Sequence, residues 1–230
     1  MSCRIGVVLF PGTNCELDVM WAVERLGAKA EILWHGDDTI NGVDAVVIPG
    51  GFAHGDYLRT GAIARFSPVM QAVSRFAASE GPVVGICNGF QVLTEAGLLP
   101  GALQKNIGLT FVCETVEVRV ESTNSVLTGL ATKGARLRIP INHFEGNYVC
   151  DADILRDLRD HDRIVLRYTR NPNGSLDDIA GIASDAGNVV GLMPHPERAS
   201  DPLIGSSDGV VLLESLLAAA AAPAPAGAPG

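Results

Sequence analysis

Cys87 stands between an apolar run and a helical pattern, in the stretch Pro82-Val83-Val84-Gly85-Ile86-Cys87-Asn88-Gly89-Phe90-Gln91-Val92-Leu93. Val83, Val84 and Ile86 read as a buried parallel strand, and Phe90, Val92, Leu93 and Ala96 as the opening of a helix. The thiol is therefore predicted on a sharp strand-to-helix turn, where Gly85 and Gly89 remove the Cβ atoms that such a turn would crowd. Amides at the start of the following helix favour a thiolate and can also receive an oxyanion. A free thiol has a pKa of about 8.5, so a cysteine nucleophile working near neutrality also calls for an imidazole or a helix terminus. The segment Met193-Pro194-His195-Pro196-Glu197-Arg198 supplies the imidazole. Its prolines push the preceding residues toward extended geometry, which predicts that His195 and Glu197 project to the same side. Glu197 would then accept from one imidazole nitrogen while the other serves Cys87, giving nucleophile, base and orienter. Taken singly, Cys87 reads equally well as a small core residue and His195 as a turn residue. Their conjunction favours chemistry.

These side chains have to be brought together by the elements around them. Apolar runs Ile5 to Phe10, Ala30 to Trp34, Ala45 to Ile48 and Val83 to Ile86 alternate with helix-like segments Glu16 to Leu26 and Pro68 to Ala78. That rhythm predicts an α/β fold with a mostly parallel twisted sheet and helices on both faces. Ligands in such sheets gather at the carboxyl ends of the strands, here Phe10 to Asn14, Pro49 to Phe52 and the Cys87 corner. Past Pro100 the pattern turns β-rich, with alternation over Phe111 to Val120 and Arg136 to Ile141, and an added mixed or antiparallel sheet is expected. Asp151 to Asp160 reads as a short polar helix, followed by strands Ile164 to Tyr168, Ile179 to Ala183 and Val189 to Met193. Gly209 to Ala219 reads as a closing helix. Residues 1–219 are expected to form one domain, and 220–230 a disordered Ala/Pro/Gly tail.

The totals narrow the function classes. The chain has 230 residues, 47% hydrophobic and 19% charged, which suits one soluble domain with a sizeable core. A net charge of -9 argues against a nucleic-acid partner. No apolar stretch approaches the ~18 residues of a membrane span, and a cytoplasmic location is expected. The five cysteines, Cys3, Cys15, Cys87, Cys113 and Cys150, make neither an even disulfide set nor a C-x-x-C pair. Reduced thiols follow, with all but Cys87 read as ordinary buried or surface residues.

Several stretches sharpen this into a resemblance: Phe10-Pro11-Gly12-Thr13-Asn14-Cys15-Glu16, Pro49-Gly50-Gly51-Phe52-Ala53-His54-Gly55-Asp56-Tyr57-Leu58-Arg59, Gly85 to Gln91, Asn171 to Ser175 and Pro194 to Arg198. The chain resembles the class I (triad) glutamine amidotransferases, and within them the small glutaminase subunits of phosphoribosylformylglycinamidine synthases from purine biosynthesis. The Cys and His-x-Glu motifs carry the broad class; the first, second and fourth stretches carry the subfamily. The resemblance implies a flavodoxin-like class I amidotransferase fold. It also implies that Cys87 attacks the glutamine carboxamide, that His195 protonates the departing ammonia, that Glu197 holds the imidazole and that water hydrolyses a γ-glutamyl thioester. Backbone N–H groups of Asn88 and of Gly50 or Gly51 would form the oxyanion hole, and Gln91 matches a position that contacts substrate. Ammonia would pass to a large ATP- and Mg-dependent synthetase subunit, with a third small subunit in the assembly. This chain itself would need no cofactor, since it carries no Walker-type phosphate loop. Ala53 to Arg59 and His143 to Asn147 are expected to dock the partner. Asn142 and Phe144 stand where small residues are expected beside His-x-Glu-Gly, Phe144 as a further partner contact, and Ile107-Gly108 replaces a more polar pair.

Plainer readings compete at each motif. Pro49-Gly50-Gly51-Phe52 lacks the Gly-x-Gly-x-x-Gly spacing of a phosphate cradle. His54 with Asp56, or His143 with Glu145, lacks further ligands at zinc-like spacing, so these read as surface or interface polar residues and no metal is expected. Asn171 to Ser175 also fits turn chemistry alone, and Arg156 to Arg163 a solvated helix face. Two other functions use the same residues. One is a stand-alone cysteine hydrolase, a peptidase or γ-glutamyl hydrolase, which would turn over substrate without a partner. The other is a catalytically silent scaffold, which would not need all three of Cys87, His195 and Glu197.

Overall fold

Four consecutive apolar runs become four neighbouring parallel strands, which is what their lack of polar alternation requires. The computed structural model describes residues 2–222. In chain order the elements are β1 (Arg4–Leu9), α1 (Glu16–Arg25), β2 (Lys29–Trp34), β3 (Ala45–Ile48), α2 (Pro68–Ala78), β4 (Val83–Ile86) and α3 (Asn88–Glu95). There follow β5 (Ala102–Gln104), β6 (Val112–Val120), β7 (Arg136–His143), β8 (Asn147–Val149), α4 (Ala152–Asp160), β9 (Ile164–Tyr168), β10 (Ile179–Ala183), β11 (Val189–Leu192) and α5 (Val210–Ala221).

One nine-stranded sheet runs in the order β2-β1-β3-β4-β11-β10-β9-β6-β7. The pairs from β2 through β11 are parallel and those from β11 through β7 antiparallel. The β-rich region is thus present as expected, but it extends the same sheet instead of making a second one. Among the described residues only β5 and β8 pair separately, as a two-stranded ribbon that the pattern did not reveal because each is three residues long. Helix α5 runs to Ala221, so Ala220 and Ala221 belong to it and not to the tail; residues 223–230 lie outside the described residues.

Local chemistry explains the helices. In α2, Pro68 opens the first turn, and Val69, Met70, Val73 and Ala77 form the buried stripe. Asp151 caps α4 by accepting from the N–H groups of Asp153 and Ile154. Helix α3 lies against β3, β4 and β11. A Cβ at Gly89 would stand 1.9 Å from the Ile48 carbonyl oxygen, and one at Gly191 would stand 2.0 Å from the Phe90 ring. Only glycine lets the helix settle this deep.

The antiparallel half does more than widen the sheet. The backbone N–H of His195, just past β11, donates to Pro140 O on the edge strand β7 at 2.9 Å. Those strands are separated by three others in the sheet, so twist curls the edge back over the carboxyl ends of β4 and β11. This curl roofs the site.

Candidate active site

Adjacent parallel strands deliver the site's parts from their carboxyl ends: β1 the Phe10 to Asn14 loop, β3 the Gly50-Gly51 pair, β4 Cys87, and β11 His195. Ile86 pairs with Leu192 and Ile48 with Gly85, so the three turns emerge at one level. Cys87 itself has φ 52° and ψ -105°, a strained conformation for a residue with a Cβ, of a kind that costs about 1–3 kcal/mol. The strain is held by Cys87 N–H donating to Leu192 O at 2.8 Å and by Cys87 O accepting from the Phe90 and Gln91 amides. The thiol is buried and donates to Asn142 O on β7 at 3.6 Å.

His195 and Glu197 are both 1% exposed, and Nδ1 lies 2.6 Å from Glu197 Oε1. Pro196–Ala199 forms a 3₁₀ turn, so the extended geometry expected from the prolines is corrected: the two side chains meet across a turn. His195 keeps a non-helical pre-proline backbone, φ -104° and ψ 85°, as its ring position needs. Burial works against the imidazolium, yet the charges of Glu197 and Cys87 overcome it and raise the pKa well above the ordinary value, with Cys15 adding to the lift. Nε2 has no hydrogen-bond partner, and neither has Glu197 Oε2.

Gly50 makes the convergence possible. A Cβ there would lie 2.7 Å from His195 Cε1, 3.1 Å from Cys15 Sγ and 3.5 Å from Cys87 Cβ. Its carbonyl accepts from the amides of Asn14 and Cys15 at 3.2 and 3.1 Å. In a trans peptide the following N–H points the opposite way, so the Gly51 amide turns from that loop toward the pocket that Gly51 lines. Gly51 has φ +149° and no room for a Cβ, which would meet Asn14 N at 2.6 Å.

The pocket has a volume of about 460 Å³, with Cys87, His195, Gln91 and Gly51 on its walls. Asn88, at the first position of α3, accepts from Ala53 N at 3.0 Å and donates to Gln91 Oε1 at 2.8 Å. Gln91 Nε2 donates to Glu145 O. Asp56, Thr60 and Glu145 complete that wall, and Thr60 Oγ1 donates to Glu145 Oε2 at 3.0 Å. Burial raises the Asp56 carboxyl to about 6, with the Glu145 charge adding to the effect and Asn88 opposing it.

Comparison with known proteins gives the lineage. Residues 2–207 match the model of the CobB/CobQ-like glutamine amidotransferase domain. The chain belongs to this amidotransferase family. It is 57% identical over 217 residues to phosphoribosylformylglycinamidine synthase subunit PurQ of Rubrobacter xylanophilus, covering 94% of this chain and 99% of that one. The PurQ subunit of Parasynechococcus marenigrum is 56% identical over 214 residues, covering 93% and 99%. The structure of PurLQS from Thermotoga maritima superposes with a TM-score of 0.88 at 40% identity, covering 95% of this chain and 99% of that chain.

Several residues of this amidotransferase carry more than their motifs disclosed. His143 was read as a surface or interface residue, yet it is 3% exposed, with Nε2 3.1 Å from Asn173 Nδ2. Burial, reinforced by His195, lowers its pKa to about 4, so it is neutral. Asn173 also donates to Gly146 O at 2.8 Å, and Ser175 Oγ donates to the same oxygen at 3.1 Å. The Asn171 to Ser175 turn thus anchors the loop that forms the pocket's outer wall. Cys15, read as an ordinary thiol, lines the same pocket as Cys87 and His195. Its only sequence signal was its place in the first motif.

Proposed function

We propose that this chain is the glutaminase subunit of phosphoribosylformylglycinamidine synthase. It would deliver ammonia to an ATP-dependent synthetase that makes formylglycinamidine ribonucleotide from formylglycinamide ribonucleotide. The observation that carries the reading is Cys87 on its strained corner in one pocket with the buried His195–Glu197 pair. Similarity to PurQ subunits along nearly the whole chain supports it.

In this reading Cys87 Sγ attacks the glutamine carboxamide carbon. The oxyanion is received by the N–H groups of Asn88 and Gly51, since the Gly50 carbonyl's hydrogen bonds leave Gly51's amide facing the pocket. One such donor is worth about 10²–10³-fold in rate. His195, held by Glu197, passes a proton from Nε2 to the leaving ammonia, and then takes one from the water that hydrolyses the thioester. Gln91 and the Asp56–Glu145 wall hold the amino-acid end of the substrate. The first 219 residues act as one amidotransferase domain, consistent with the continuous sheet. ATP and Mg are used by a large synthetase subunit in this reading, and a third small subunit joins them. No helix among the described residues is long and apolar enough to cross a membrane; a cytoplasmic site of action fits the metabolic role.

The test is Cys87→Ala in the assembled complex. Glutamine-dependent synthesis should fall to background while ammonia-dependent synthesis stays at the parent level. Retained glutamine use would remove Cys87 as nucleophile, and glutamine turnover by the free chain at the complex's rate would instead favour a stand-alone hydrolase.

A further inference from the structure

Cys15 is a second buried thiol at the triad, and nothing in the glutaminase reaction uses it. It is 3% exposed, at the N-cap of α1, and its sulfur accepts from Arg198 Nη2 at 3.3 Å. One donor atom each from Cys15, His195 and Glu197 lie within 4.8 Å of one another. Gly50, which has no side chain to separate them, leaves Cys15 Sγ and the His195 ring edge flanking the same point. Glu197 Oε2 is buried with no hydrogen-bond partner beside the Nδ1 edge of the ring, and His195 Nε2, also without one, lies on the ring's other edge. Sulfur, imidazole nitrogen and carboxylate oxygen are the donors that zinc takes, at about 2.0–2.3 Å in a tetrahedron. To reach that geometry the set, now within 4.8 Å, must close by roughly 1 Å at its widest and the 2.6 Å Nδ1–Oε1 hydrogen bond must open.

The geometry points to an inhibitory divalent-metal site in which Cys15, His195 and Glu197 bind a zinc-like ion, its fourth position open to the pocket. The Cys15 thiol proton and the imidazolium proton on the ligating nitrogen both go to solvent as thiolate and neutral imidazole ligate, and no electron is transferred. An ion so held takes the imidazole and its carboxylate away from Cys87, so glutamine hydrolysis stops while the ammonia-dependent partner reaction continues. A soft donor set selects Zn²⁺ over Mg²⁺, which the synthetase reaction requires. The site would therefore silence ammonia release under zinc excess without disturbing magnesium-dependent chemistry.

The experiment uses the full chain with Zn²⁺ alone and Co²⁺ alone as probes, in chelator-free buffer. The parent should bind one Zn²⁺ and show a thiolate-to-cobalt absorption band. Cys15→Ser should lose the band and bind Zn²⁺ about 100-fold or more weakly, because even outer-shell partners of a metal are worth about 10–100-fold. Cys87→Ser should keep both band and affinity, which separates this site from the nucleophile and makes the test independent of glutaminase activity. On the parent protein, Zn²⁺ should also protect Cys15, but not the exposed Cys113, from alkylation read by peptide mass, so the result does not depend on a variant folding. Unchanged Zn²⁺ affinity in Cys15→Ser, loss of the band in Cys87→Ser, or no protection of Cys15 would each overturn the site.

Discussion

The chemistry turns on how buried charge is arranged around His195. Its imidazolium is favoured by Glu197, whose carboxyl group is 1% exposed and lies 2.6 Å from Nδ1. Glu197→Gln keeps the shape and removes the charge. We expect glutamine-dependent kcat to fall about 10²–10³-fold with little change in KM, since the lost interaction is realised in proton transfer. Parent-like kcat in steady-state ammonia release would count against Glu197 as the orienter. Asp56 makes a separate prediction about stability. Folded Asp56 keeps its proton up to about 6 instead of 3.8, because burial and then Glu145 disfavour its charge. Between those values the folded state binds more protons than the unfolded one, so this group lowers stability as pH rises through the window and leaves a penalty above it. Asp56→Asn should therefore match the parent near pH 4 and unfold at higher denaturant at pH 7. Equal midpoints at both pH values would show that the carboxyl is not strained.

The strand-turn-helix unit of β4, Cys87 and α3 is where local geometry becomes catalytic geometry. Gly85 and Gly89 face each other across the corner, and Gly89 also faces Ile48 on β3, with no room for a methyl at either position. Gly89→Ala forces α3 away from the sheet and relaxes the φ of Cys87. Overpacking of this kind costs about 1–3 kcal/mol, or roughly 2–12 °C in Tm for a chain of this size. Labelling of Cys87 by a glutamine-like electrophile should slow more steeply than stability declines. Unaltered labelling would mean that the corner tolerates the shift. This unit was legible in advance because apolar run, glycine spacing and helical period are all local. The His195 turn was only half legible: proline restriction marked the segment as special, but hydrogen bonds from neighbouring turns chose 3₁₀ over extended backbone.

The assembled molecule presents its pocket beside an exposed apolar rim. Tyr57 and Leu58 are 70% and 80% exposed, and Ile107 and Leu109 are 78% and 69% exposed. Tyr57 and Leu58 lie in the loop expected to dock the synthetase, whereas His143 of the second expected segment is interior. Leu58 has φ 72°, a conformation that aspartate tolerates better than leucine, so Leu58→Asp should fold normally. It should weaken copurification with the synthetase about tenfold or more, equivalent to about 1.4 kcal/mol, and leave electrophile labelling of the free chain unchanged. Undiminished copurification would place the interface elsewhere.

Composition, period and motif were enough to announce a parallel α/β sheet and the Cys87 corner, and to single out Cys87, His195 and Glu197 as candidates. Each of those depends on neighbours within a turn or a strand, and the family motifs fill the rest. What lay beyond reach depended on contacts between distant segments. β7 is an edge strand by pairing yet roofs the site by curvature, and no pattern within Arg136 to His143 encodes that return. Cys15 and His195 are 180 positions apart, and only the packing of α1 against the turn after β11 brings sulfur, imidazole and carboxylate together. Side-chain periodicity reports which face is buried; it carries no information about what the buried face will touch.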